Sequence, residues 1–296
     1  MPMNLNHLAI FHAVAQEQSV SRAAQRLLIS QPAVSKQVAQ LGKSLKVRLF
    51  DRRSRGIRLT DAGQLLASYA AKIFALEEEA QRALSSLAGV ECGRLAIGAS
   101  TTIGVYLLPA ALVKFRRAHP GVQTTLEVGS SRQIQQLLLE NSLDIGLTEV
   151  PPTDRRLKSE IFMQDELAAI APPGHRLLKS RNVTAAAFCR EPFVVRDTGS
   201  ETRSFVERAL AARGLSVDPI MSLSSTEAIK RAVAAGIGVG IVSRLSIGVE
   251  LKARTLAVVC VSGLSIRRPL YAVSVKGATP SAASREFRKV LQMEVI

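Results

Sequence analysis

The chain has 296 residues, 47% hydrophobic and 21% charged, which excludes a disordered polymer and leaves room for about two domains, each with its own core. Its net charge of +15 points to a polyanionic partner, either nucleic acid or an acidic membrane surface. The opening MPMNLNHLAIF lacks a signal-peptide pattern, and no apolar run reaches the roughly 18 residues of a membrane span, so a soluble, cytoplasmic protein is expected. Cys92, Cys189 and Cys260 are scattered without a CxxC, and His7, His12, His119 and His175 show no ligand spacing with them. Reduced thiols are therefore expected, with no metal and no cofactor.

Leu5, Leu8, Phe11 and Ala15 recur at helical spacing and predict a first amphipathic helix. Ser19 or Ser21 caps a short second helix through Ala23, Ala24 and Leu27, whose small alanines admit a close neighbour. Ser30-Gln31-Pro32 then opens a third helix, with proline near the first helical position, where its missing N–H costs nothing. Val34, Val38, Leu41 and Leu45 form its buried face. At about 100° per residue, Pro32, Ala33, Lys36, Gln40 and Lys43 fall on the opposite face, flanked by Ser35 and Gln37. Such a face, free of acids, suits a major-groove reader: lysine reaches guanine acceptors or phosphate, and glutamine reads adenine.

LFDRRSRGIRLT, residues 49–60, reads as two short strands around a basic turn, a wing. Arg52, Arg53 and Arg55 are placed to meet phosphates or enter the minor groove, and Arg58 either joins them or packs on the next helix. From Val20 to Thr60 ten basic residues face a single acid, Asp51, so much of the charge excess lies in this winged helix-turn-helix.

The run AAQRLLISQPAVSKQVAQLGKSLKVRLFDRRSRGIRLTDAG resembles the signature of LysR-type transcriptional regulators over residues 3–60, and the rest of the chain follows that family's plan. The resemblance implies a DNA-binding domain at 3–60 with Ser30, Gln31, Pro32, Ser35, Lys36, Gln37, Gln40, Arg52, Arg53 and Arg55 toward promoter DNA. One departure is Gly42, where the family usually carries glutamate. It is expected to weaken or shorten the helix there by about 1 kcal/mol.

Thr60-Asp61 caps a long helix in which Leu66, Tyr69, Ile73, Leu76, Ala80, Ala83 and Leu87 step by three and four, a heptad seam. Residues 61–89 exceed what a small domain needs to cover itself, so a two-chain seam is expected, as in the family's dimerising linker. Gly89 and Gly93 mark the hinge beyond it.

From Arg94 strands and helices alternate. LAIGAS, VQTTLEVGS, LDIGLTEV, LAAIAPP, PFVVRD, IMSLSS and VGIVS read as strands, and the segments TIGVYLLPAALVKFRRAH, SRQIQQLLLEN, ETRSFVERALAARG and STEAIKRAVAAGIG as helices. Repeated β-α-β units predict an α/β fold with parallel sheets covered by helices. Ligands in such folds bind beyond the strand ends, at helix N-termini that favour anions. Hydroxyls recur at those junctions: Ser100-Thr101-Thr102, Ser130-Ser131, Thr148, Thr198 with Ser200 and Thr202, and Ser224-Ser225-Thr226. A lone hydroxyl is an ordinary helix cap; the recurrence suggests a shared cleft.

This half resembles the family's effector-binding domain, two periplasmic-binding-protein-like subdomains at roughly 94–163 plus 266–296, and 164–265. By position the resemblance implies effector contacts at Ser100, Thr102, Thr148 and Thr202, to which the hydroxyl clusters add Thr101, Ser200 and Thr226, with Arg196 and Arg203 as anion partners or surface charges. GSSRQIQQLLLENSLDIGLTE and RDTGSETR are most similar to regulators of carbon fixation or sulfur and nitrogen assimilation, implying a small anionic metabolite. It further implies a homodimer, paired again as a homotetramer, and contact with RNA polymerase if it activates.

Three other readings compete. An enzyme lacks support, because Gly236-Ile237-Gly238-Val239-Gly240 ends a helix and enters a strand, the reverse of a dinucleotide loop. A solute-binding transport protein leaves the basic amino-terminal unit unexplained. A redox sensor would need two of the three cysteines to meet.

Overall fold

The computed structural model describes residues 3–52, 57–87 and 93–293. The chain divides into two compact units, Met1–Leu87 and Ala88–Ile296. The first holds α1 (Leu5–Glu17), α2 (Val20–Leu27), α3 (Gln31–Leu45), the short strands β1 (Phe50–Arg52) and β2 (Ile57–Leu59), and the long α4 (Asp61–Leu87). Asn4, Ser19 and Ser30 each accept a bond from a first-turn N–H of the helix they precede, so Ser19 rather than Ser21 caps α2. Phe11, Leu8 and Leu41 are wholly buried with Leu49 and Ala70, while Val14, Ala23, Ala24 and Val34 close a second cluster. Full burial of a side chain such as Phe11 contributes about 1.5–3 kcal/mol.

The helix α3 runs three residues past Gly42, so it is not cut short there. A Cβ at Gly42 would sit 2.9 Å from the carbonyl oxygen of Val47, so the chain leaving α3 folds back too closely for a side chain. Lys46, in the left-handed conformation, makes that reversal and donates its N–H to Gly42 O and Lys43 O.

The predicted seam of α4 needs correction. Leu66 and Ile73 turn inward and pack against the α1–α3 core with Ala67, Ala70 and Phe74. Among the described residues of α4, Leu65, Tyr69 and Leu76 are the large apolar side chains left exposed. With Lys72 they still step by four, three and four, so the uncovered stripe is rotated by about one residue. Ala80 is exposed, and the side chains of Ala83 and Leu87 lie outside the described residues.

In the second unit the chain runs β3 (Gly93–Ser100), a π-helical turn (Ile103–Leu107), α5 (Leu108–Ala118), β4 (Val122–Gly129), α6 (Ser131–Leu139) and β5 (Ile145–Thr148). There follow β6 (Leu157–Ala171), β7 (Val183–Thr184), α7 (Ala185–Cys189), β8 (Phe193–Arg196), α8 (Glu201–Ala211), β9 (Pro219–Leu223) and α9 (Thr226–Ala234). Last come β10 (Gly240–Ser243), α10 (Gly248–Ala253), β11 (Ala257–Val258), β12 (Val261–Ser262), β13 (Ile266–Val275) and α11 (Ala282–Met293).

The sheets are not all parallel. β4, β3 and β5 pair in parallel, as do β8 and β9, but β13, β6 and β10 join the main sheet antiparallel, in the order β10-β6-β13-β5-β3-β4. Two strands differ most from expectation. β6 begins ten residues before the predicted LAAIAPP at Leu167, and β13 had no predicted counterpart. They pair from Ile266–Leu167 to Val275–Leu157, with an irregularity between Leu270 and Tyr271. β13 bonds β5 at one end while β6 bonds β10 at the other, so this pair ties two packed halves together. One core gathers Leu95, Ile97, Phe115, Leu147, Leu270 and Phe287; another gathers Leu167, Phe188, Phe193, Val206 and Ile241.

Glycines set how closely α6 approaches the sheet. A Cβ at Gly98 would lie 2.9 Å from Ile134 Cγ2, and one at Gly146 would lie 2.7 Å from Leu138 Cδ1, both on α6. The two positions seat α6 and so fix the place of its amino terminus.

Candidate functional site

Two polar surfaces stand out, one in each unit. On the first, Ser30, Gln31, Pro32, Ser35, Lys36, Gln40 and Lys43 are exposed along α3, with Ala33 and Gln37 half-buried. Val34 and Leu41 hold the opposite face in the core. Ser30 Oγ accepts from Ala33 N at 3.4 Å, and Ser21 Oγ donates to Gln31 Oε1 at 3.4 Å, which ties the start of α3 to α2. An open, polar concavity of about 440 Å³ lies beside Lys36, Gln37 and Gln40, and its other wall is Asn4, Asn6 and His7. Those three come from the amino terminus of α1, where Asn4 Oδ1 already accepts from Asn6 N and His7 N. Sequence reading passed over them, because their place beside α3 depends on how α1 packs.

The wing is an antiparallel pair in which Asp51 faces Arg58. Arg58 is exposed rather than packed on α4. Arg52 contributes backbone to β1, its side chain and all of Arg53 and Arg55 lying outside the described residues.

The second surface is a cleft of about 220 Å³ lined by Thr101 and Thr102, Gly129 and Ser130, Glu149, and the stretch from Arg196 to Thr202. Three helical starts converge there: the turn after Thr102, α6 and α8. Ser130 and Gln133 form a reciprocal capping box, and Ser200 caps α8 through Arg203 N. Of the expected effector residues, Thr101, Thr102, Arg196, Ser200 and Thr202 line this cleft. Ser100, Thr148 and Thr226 do not. Ser100 is buried with an unpartnered hydroxyl, Thr148 donates to Val150 O at 2.8 Å, and Thr226 accepts from Arg196 Nη1 at 3.3 Å. Arg203 is spent on Glu207 at 2.6 Å and Arg196 O at 3.0 Å.

Beneath the cleft lies Arg268, wholly buried on β13 and absent from the predicted site. Its Nε donates to Asp165 Oδ2 at 2.8 Å and its Nη1 to Thr202 Oγ1 at 2.9 Å. Its Nη2 reaches Thr102 Oγ1 at 3.5 Å and stands 3.4 Å from Glu149 Oε1. One guanidinium thus ties both cleft walls to the crossing strands. Glu149 is 3% exposed. Burial pushes its carboxyl above the usual range, while Arg268 and the Thr102 hydroxyl pull it back only in part.

A further polar group joins the two halves. Tyr106, in the π-helical turn, donates to Glu227 Oε1 at 2.7 Å on α9. Lys230 bonds Glu227 at 2.6 Å, Glu250 at 2.7 Å and Ser246 O at 2.7 Å, with its ammonium 5.0 Å from the Tyr106 ring centre. Burial and the Glu227 hydrogen bond push the Tyr106 phenol well up. Desolvation opposes ionisation of Glu227, but hydrogen bonds from Lys230 and Tyr106 outweigh it and hold the carboxyl low. Cys189 and Cys260 are free thiols, and Cys92 lies outside the described residues.

Residues 5–64 match the bacterial regulatory helix-turn-helix proteins of the lysR family, and residues 88–295 match the LysR substrate binding domain. The chain belongs to the LysR family. It is a LysR-type transcriptional regulator and not an enzyme, with a helix-turn-helix and a two-subdomain α/β effector domain. LysR regulators bind DNA and small-molecule effectors and are oligomeric. Among its relatives, the RuBisCO operon transcriptional regulator of Allochromatium vinosum is 37% identical over 294 residues, covering 99% of this chain and 97% of that protein. The transcriptional activator CmpR of Synechocystis is 32% identical over 283 residues, covering 96% and 93%. The Synechocystis CcmR regulatory domain, solved in complex with 2-PG, is 28% identical with a TM-score of 0.63, covering 69% of this chain and 97% of that one. Full-length OxyR from Pseudomonas aeruginosa, at 22% identity, shares the fold with a TM-score of 0.76 over 99% and 98% of the two chains. No described helix is long and apolar enough to cross a membrane.

Proposed function

We propose that this LysR-type regulator controls carbon-fixation genes, binding upstream double-stranded DNA through α3 and the wing and sensing a small anionic metabolite in the effector-domain cleft. The observation that carries the sensing half is the convergence of three helical starts on one cavity walled by Arg196, Thr101 and Ser200. The volume of about 220 Å³ suits a metabolite smaller than the occupants of sites of roughly 300–1,000 Å³. The names of the relatives support the choice of genes, and the 2-PG bound to the CcmR domain supports the choice of ligand class.

In this reading Ser30, Gln31, Pro32, Ser35, Lys36, Gln37 and Gln40 face the major groove, while Arg52, Arg53 and Arg55 hold the flanking backbone. Residues 3–60 form the DNA-binding domain, 61–89 the dimerising linker and 94–296 the effector domain. Two chains pair along the Leu65–Tyr69–Leu76 stripe, and two pairs form a tetramer. The protein works in the cytoplasm and meets RNA polymerase where it activates.

Fluorescence anisotropy with DNA from upstream of the regulated genes tests the DNA-reading half. Lys36→Ala is expected to cost about 1–3 kcal/mol of affinity if the lysine reads a base. If it meets a phosphate instead, the log–log salt slope should drop by about one. Unchanged affinity together with an unchanged slope would remove α3 from the interface.

A further inference from the structure

The acceptor Glu149 is out of keeping with a cleft built to hold an anion. Its carboxyl is nine-tenths buried and lines the cavity, and Oε1 accepts no hydrogen bond. The nearest cation, Arg268, is 3.4 Å away and already engaged by Asp165 from β6. The groups facing Glu149 are Arg268 on β13, Asp165 on β6, Thr102 at the end of β3 and Glu201 on α8. On the cavity wall itself Glu149, Asp197 and Glu201 oppose the single guanidinium of Arg196, whose Nε already stands 3.5 Å from Asp197 Oδ1.

An ionised carboxylate offers only lone pairs, and so does a fully deprotonated oxyanion. Brought together in a desolvated cleft they repel, as two carboxylates sharing a site do, and one proton between them turns that repulsion into a charge-assisted hydrogen bond. Resting on the reading of this cleft as the effector site, we propose that Glu149 and an oxyanion of the effector hold one proton between them. The ligand class follows from this. The cleft takes phosphomonoesters in preference to sulfate, and binding takes up a proton. A phosphomonoester has a second pKa of about 6 and shares a proton readily near neutrality. Sulfate stays unprotonated and draws the whole proton from Glu149. The shared proton belongs to the pair rather than to either partner.

Calorimetric titration of the full-length protein with 2-PG, inorganic phosphate and sulfate, in two buffers of different ionisation enthalpy, tests this. Titrated across about pH 7 to 10, 2-PG binding should take up about one proton per site once the free Glu149 carboxyl and the phosphomonoester are both ionised. Its affinity should fall about tenfold per pH unit as the pH rises further. Sulfate should bind at least about tenfold more weakly, the cost of raising the sharing pKa by about one unit without a basic partner. In Glu149→Gln, whose amide donates at every pH, the pH slope should flatten and the phosphate–sulfate difference should shrink. The wild-type proton count stands even if that variant fails to fold. Binding of 2-PG without proton uptake anywhere in that pH range, or a slope that survives in folded E149Q, would overturn the inference while leaving the effector site intact. No binding by any of the three anions would remove the anion-site reading itself, and this inference with it.

Discussion

The exposed face of α3 and the floor of the effector cleft are built on opposite principles. On α3 the functional side chains are largely solvated, and Lys36 and Gln40 project from a helix held by Val34 and Leu41. In the cleft the polar groups are buried and bond first to one another, through Arg268, Asp165, Thr102 and Thr202. Removing a side chain from α3 should therefore cost affinity and little stability. Removing one from the cleft floor should cost stability before anything else.

Arg268→Met is the most severe way to sharpen that contrast. It leaves Asp165 and Glu149 without their buried cation, and breaking such a pair costs about 3–5 kcal/mol. Urea denaturation should show the midpoint falling, whereas Lys36→Ala should leave it within about 0.5 kcal/mol of the parent. Equal stability of the two variants would dissolve the distinction.

Leu76→Lys should act differently again. Leu76 is 65% exposed in the single chain, and if a partner covers it the substitution should weaken pairing by about 1.5–3 kcal/mol, read by sedimentation at several concentrations. Leu66→Ala should instead loosen the first unit itself, since Leu66 packs on its core. A dimer indifferent to Leu76→Lys and sensitive only to Leu66 would restore the original seam.

The smallest effect is expected at Tyr106→Phe. It removes one hydrogen bond between the two halves of the effector domain, worth about 1 kcal/mol, and should raise the affinity of Glu227 for a proton. Carbon-detected NMR titration of the Glu227 carboxyl reads the second effect. A titration midpoint that does not move would show that Lys230 alone holds this carboxylate.

The same contrast explains what could be read from sequence. The helix α3 declares itself through local periodicity, with apolar side chains at 34, 38, 41 and 45 and a Ser-Gln-Pro start, and its polar face follows by rotation. The alternation of strand and helix in the second unit was legible for the same reason. The cleft floor was not, because its members meet only in the fold: Arg268 bonds residues 66 and 166 positions away. β13 went unassigned because charged Arg267 and Arg268 interrupt its apolar pattern, and the burial of Arg268 depends on partners elsewhere. The early half of β6 is largely exposed, which hides its period. Glu149 falls within LDIGLTEV, read as a strand, where nothing local shows which partners surround it. The α4 seam erred by about one residue, because apolar side chains occupy both a core-facing and an exposed stripe.

On the proposed function, metabolite in the cleft changes how this LysR-type regulator sits on DNA. Footprinting of the upstream region with the full-length protein, with and without saturating 2-PG, tests it most directly. The expected result is a footprint whose length or bend-induced hypersensitivity changes when the ligand binds, and does so less readily as pH rises. An identical footprint with 2-PG demonstrably bound would contradict the account.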